Sequence, residues 1–143
     1  MIIGSENYTT IIFYSVIITA IISQLIKFTT ESIIAKKALY KVLARNGGMP
    51  STHSALVSSL SSSIFIFEGL STGFIISLVF GIIVIVDAMG VRREAGEEAT
   101  LINKIMKKEH MRAKSLNELM GHTPLQVVTG IALGIIISLI ISL

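Results

Sequence analysis

Charge is segregated along this chain more sharply than any soluble fold allows. All twelve lysine and arginine residues lie in two stretches, 27–45 and 92–114. The segments between and around them are nearly uncharged, and most are long enough to cross a bilayer. Only 15% of the residues are charged and mean hydropathy is +0.78, whereas a soluble domain is about a quarter charged. Long apolar runs with few charges point to an integral membrane protein. With no cysteine, disulfides and thiolate metal sites are excluded. The first apolar run is read as a full span rather than a cleavable signal, because no basic region precedes it and Glu6 does.

Four spans are expected, forming one all-α membrane domain over residues 1–143. The runs 8–28, 72–91 and 124–143 each match the roughly 20 residues that about 30 Å of hydrocarbon requires. The run 50–67 is shorter, holds His53 and is rich in serine. Small hydroxyl residues suit a helix packed closely against other membrane helices, and a re-entrant segment is the competing reading. Four spans put both basic stretches on one side, with all twelve Lys and Arg there and none opposite. Positive residues concentrate on the cytoplasmic side, so both termini are expected outside and the loops inside, at the plasma membrane. A re-entrant second segment erases that asymmetry, which favours four spans. Within the loops, residues 31–45 and 94–118 carry apolar residues at helical spacing, as interfacial amphipathic helices or solvated linkers do. Anionic lipid rather than nucleic acid is the expected partner of the basic stretches.

Three constellations carry chemistry. In the first, Arg45-Asn46-Gly47-Gly48-Met49-Pro50-Ser51-Thr52-His53, a glycine pair turns into a helix start. Free amides and the helix dipole there favour an anion, with Arg45 and His53 beside them. Plain capping is the bland alternative. In the second, Asp87 lies near the end of the third span, followed by Arg92 and Arg93. An intramembrane carboxylate is costly unless paired, and arginines clamp phosphate well. The bland alternative is a stop-transfer pair with Asp87 bridged to one arginine. In the third, Gly121-His122-Thr123-Pro124-Leu125-Gln126, a Thr-x-x-Gln capping box explains Thr123, Pro124 and Gln126 but not His122.

Together, Gly-Gly-Met-Pro-Ser-Thr-His-Ser at 47–54, Asp-Ala-Met-Gly-Val-Arg-Arg at 87–93 and Gly-His-Thr-Pro at 121–124 resemble the divergent membrane branch of the type 2 phosphatidic acid phosphatase superfamily, related to bacterial acid phosphatases and vanadium haloperoxidases. The resemblance covers residues 11–140. It implies that His122 is the nucleophile that attacks phosphorus, that His53 is the general acid, and that Ser51, Gly48, Arg45, Arg92 and Arg93 hold phosphate. It implies no metal and no cofactor. Two departures stand out. Gln126 occupies the position of the superfamily's orienting aspartate, and Leu116 that of an arginine six residues before the nucleophile. Asp87 is the expected replacement partner if the third and fourth spans pack together, and Arg92 and Arg93 the replacement charge. Lys36 or Lys37 with Arg45 only loosely resembles the superfamily's first basic motif.

The expected function is a small membrane phosphatase or phosphotransferase acting on lipid phosphates at the cytoplasmic face. The alternative is a non-catalytic membrane protein that binds phospholipid head groups or a partner protein. A weaker alternative is a metal site built from His53, Asp87, His122 and Glu97 or Glu98. Gly130-x-x-x-Gly134 suggests close helix packing, as in a homo-oligomer.

Overall fold

The computed structural model describes residues 5–35, 48–118 and 120–142. They form five helices and, among the described residues, no strand: α1 (Ser5–Ala35), α2 (Thr52–Glu68), α3 (Thr72–Met89), α4 (Val91–Lys108) and α5 (Pro124–Ser142). Among the described residues, three stretches suit a membrane crossing by length and composition: Tyr8–Ile33 in α1, the stretch from Thr72 that contains α3, and α5. The fourth expected span, α2, has 17 residues and is not among them. It is instead the hub of the bundle, packed against α1, α3 and α5. The expected helix over 31–45 begins as the last turn of α1; residues 36–47, including Arg45, lie outside the described residues.

The bundle is inverted relative to a soluble protein. Its interior is small and hydroxylated: Ser15, Thr19, Ser23, Ser54, Ser59, Ser63 and Ser138 are fully buried, while Phe13, Ile75, Ile83, Val128 and Ile140 are exposed. In hydrocarbon nothing is gained by hiding large apolar side chains, so close packing and interhelical hydrogen bonds take over. Ser59 illustrates the second: its hydroxyl accepts from Thr19 at 3.0 Å and lies 3.1 Å from that of Ser15, to which Ser63 also donates at 3.1 Å. These pairs join α1 to α2 in antiparallel sense.

α2 and α5 run parallel and start at the same end of the bundle. The Ser51 amide donates to the Gln126 carbonyl at 2.9 Å. A Cβ on Gly130 would collide with the Ser51 carbonyl, and one on Gly134 with the Ala55 carbonyl. The two glycines suggested for an oligomer contact therefore face α2 of the same chain, because a helix backbone already occupies the surface they open.

Each remaining element has a local cause. Ser51 caps α2 and Ser71 caps α3. The Thr123–Gln126 capping box forms as its sequence suggests: the Thr123 amide donates to Gln126 Oε1 at 3.0 Å, and the Gln126 amide to Thr123 Oγ1 at 3.4 Å. α3 stops at Gly90 and α4 restarts with an amphipathic sequence, Leu101, Ile102 and Ile105 exposed beside Lys104, Lys107 and Lys108. The return from α4 to α5 is pinned by Asn103, which accepts from the Leu116 amide at 2.9 Å and donates to its carbonyl at 3.0 Å.

Candidate functional site

Four helix ends meet at one end of the bundle: the second half of α1, the starts of α2 and α5, and the end of α3. Because α2 and α5 are parallel, both N-termini point into the same mouth. Aligned peptide dipoles make each such terminus attractive to an anion. His53 lies in the first turn of α2 and His122 just ahead of α5. Their rings are 6.2 Å apart, centre to centre, and inclined at 75°. Two histidines 69 residues apart in sequence thus share one site.

His122 is placed by its backbone. Its amide donates to the Ala88 carbonyl at the end of α3, at 2.9 Å. Gly121 precedes it with φ +79°, and a Cβ there would strike the backbone of Arg93. Only glycine allows the segment to lie this close to the start of α4. The residue is 5% exposed, and its buried Nδ1 has no hydrogen-bond partner among the described residues. Burial, then the charges of His53, Lys27 and Arg92, push its pKa down to about 4. The ring is consequently neutral at physiological pH and keeps a lone pair.

The replacement carboxylate is engaged elsewhere. Asp87 is ion-paired with Arg92 at 2.5 Å, so it does not orient His122 through Nδ1. A half-exposed arginine five residues away offers the carboxylate full charge compensation, which a buried neutral imidazole does not. Gln126 is held in the cap of α5. The two arginines also part company. Arg92 acts electrostatically on both imidazoles, whereas Arg93 pairs with Glu97 at 3.1 Å along the exposed face of α4.

Ser51 and Gly48 serve the architecture. Ser51 is fully buried and caps α2: its hydroxyl accepts from Ser54 Oγ at 2.9 Å and from the Ser54 amide at 3.4 Å. Gly48 has φ +102°, and a Cβ there would lie 2.8 Å from Lys27 Cε and 2.7 Å from Glu31 Oε1. It brings the loop down onto α1, where Thr30 also donates to the Met49 carbonyl at 3.1 Å. Among the described residues no group of three or more His, Asp or Glu is placed to hold a metal, so the set of His53, Asp87, His122 and Glu97 or Glu98 is not assembled.

Sequence reasoning missed Lys27. It is 4% exposed, lies beside the Gly48 loop and acts electrostatically on both imidazoles. The signal was present: an ionisable residue inside a membrane span is a functional candidate by default. It reads as the end of the first span only because the helix is assumed to stop there, and α1 continues to Ala35.

Residues 8–137 match the model of the divergent PAP2 family. A Bacillus subtilis (strain 168) protein named "Uncharacterized membrane protein YuiD" is 36% identical over 138 residues, covering 85% of this chain and 87% of the relative. No solved structure matches the chain.

Proposed function

This membrane protein belongs to the divergent PAP2 family, and on that premise we propose that it is a phosphatase or phosphotransferase that takes a lipid phosphate at the cytoplasmic face of the plasma membrane. One observation carries the reading. Two imidazoles 6.2 Å apart lie under two converging helix N-termini, with Lys27 and Arg92 within electrostatic range of both.

Lys27, Arg92 and the two helix dipoles hold the phosphate. The neutral His122 ring attacks phosphorus with a nitrogen lone pair, forming a nitrogen–phosphorus bond as the bond to the leaving lipid oxygen breaks. His53, in its protonated form, transfers its proton to that oxygen. Water then attacks the phosphohistidine, His53 accepts its proton, and His122 leaves with its lone pair restored. Asp87 acts as a positioning residue by holding Arg92. The absence of Lys and Arg outside the two basic stretches supports a cytoplasmic mouth with the termini outside.

The unpartnered Nδ1 of His122 supports a second reading, a head-group-binding protein without turnover, since a histidine nucleophile ordinarily has a group that fixes its tautomer. Phosphate release from a panel of lipid monophosphates and diphosphates by the purified protein, in buffer free of divalent ions, separates the two. Release is expected. His122→Ala abolishes it, and His53→Ala lowers it by about 10²–10⁴. Undiminished release from His122→Ala overturns the mechanism; saturable lipid binding with no release by the intact protein establishes the second reading.

A further inference from the structure

α3 and α5 flank α2 but barely touch each other. Between them lies a cavity of about 420 Å³, floored by α2 and open to the lipid side. Phe65, Leu78, Ile82 and Ile135 line it and are exposed. The opening has direction. Its near end is Val57, one turn along α2 from His53, and Ile85, one turn before the Ala88 carbonyl that holds His122. Its far end is lined by the Phe65 and Phe74 rings, whose centres are 5.0 Å apart. From Val57 to Phe65 is about 12 Å at the helical rise of 1.5 Å per residue.

We propose that this groove seats a single hydrocarbon chain of the same molecule whose phosphate lies at the histidines, and that the Phe65–Phe74 pair sets the chain length it accepts. The inference rests on the proposed function and deepens it by naming the tail. Three observations support that occupant over a second helix or a passing lipid. Its near end, at Val57 and Ile85, lies one helical turn from His53 on α2 and from Ala88 on α3, within the span of one ligand's head and tail. Its wall is apolar apart from serine hydroxyls, of which Ser58 already donates to the Ser54 carbonyl. At its far end the Phe65 and Phe74 rings are in contact with each other across the α2–α3 wall. The substrate class is thus a single-chain phosphate ester, or one tail of a larger lipid, entering sideways from the bilayer.

Two substitutions leave the mouth untouched. A Cβ on Gly81 would meet Val57 at an ordinary 3.5 Å, so Gly81→Leu places added bulk against Val57 at the wall of the groove. Phe65→Ala removes half of the stop. The probes are inorganic phosphate and monoalkyl phosphates from butyl to hexadecyl, titrated into the full-length protein in nanodiscs and followed through the imidazole resonances of His53 and His122.

For the wild type, affinity is expected to rise with chain length and then level off. Gly81→Leu weakens the long-chain ligands roughly tenfold, the loss of about two buried methylenes, and leaves inorganic phosphate unchanged. Phe65→Ala moves the plateau to longer chains. Chain-length profiles of both variants that superimpose on the wild type overturn the proposal and leave the groove to bulk lipid or another helix. A uniform loss in both variants, inorganic phosphate included, also overturns it. The titration needs no turnover: chain-dependent binding without phosphate release counts against the enzyme and leaves the groove standing.

Discussion

α5 treats its two neighbours in opposite ways. Against α2 it is in backbone contact, with Gly130 and Gly134 seated on the Ser51 and Ala55 carbonyls. Against α3 it barely makes contact, and the gap holds a cavity of about 420 Å³. Both seams are apolar helix pairs in the same bundle, so hydrophobicity does not distinguish them. The difference is side-chain size. Glycine and serine let two backbones approach, whereas Leu78, Ile82 and Ile135 hold them apart. The tight seam fixes where the two helix N-termini converge, and hence where the two histidines meet. The loose seam leaves an apolar groove.

That contrast can be broken at the tight seam first. Gly134→Leu drives a side chain into the Ala55 carbonyl, and overpacking at a backbone contact costs about 3 kcal/mol or more. It is expected to lower the unfolding midpoint in detergent more than any other single change named here, and a midpoint like that of the wild type would refute the tight-seam reading. The next effect lies where His122 bridges α3 and α2. Its pKa near 4 is below the ordinary histidine value of about 6.5. Between those values the unfolded chain binds a proton that the folded chain does not. Stability from this residue is therefore full above about pH 6.5 and is lost as pH falls toward 4. His122→Phe should flatten that limb of a pH-stability profile; a limb of unchanged slope assigns it to other groups.

Gln126→Ala removes one half of the α5 cap and should cost about 1 kcal/mol, measured by the same denaturation, with phosphate affinity little changed because Gln126 faces its own helix start. The smallest effect belongs to Gly81, where α3 meets α2 at the wall of the cavity. Gly81→Ala adds a methyl at an ordinary contact distance from Val57 and should shift stability by no more than about 0.5 kcal/mol in either direction. A loss as large as that at Gly134 would mean that α3 is packed on α2 as tightly as α5 is.

The architecture was largely legible because membrane helices are written locally. Apolar runs mark them, charge blocks mark their ends, and the Thr-x-x-Gln box marks a start. Pairing was not legible. Gly130 and Gly134 identify a face that wants a close neighbour, but the same face serves a second copy or a helix of the same chain. Asp87 is visibly a carboxylate in need of a cation, yet Arg92, Arg93 and His122 are all plausible partners until coordinates choose Arg92. Lys27 was hidden by the habit of ending a span at its first lysine.

By itself the sequence determined that this chain enters a membrane, that its Lys and Arg fall in two stretches, and that two histidines stand at helix starts. Those facts depend only on neighbours along the chain. Tertiary structure alone decided that the two histidines meet, that His122 is buried with no partner at Nδ1 among the described residues, that Arg92 pairs with Asp87 while Arg93 pairs with Glu97, and that an apolar groove lies between α3 and α5. Each of these depends on which helix backbones approach closely, a matter of shape complementarity between segments far apart in sequence.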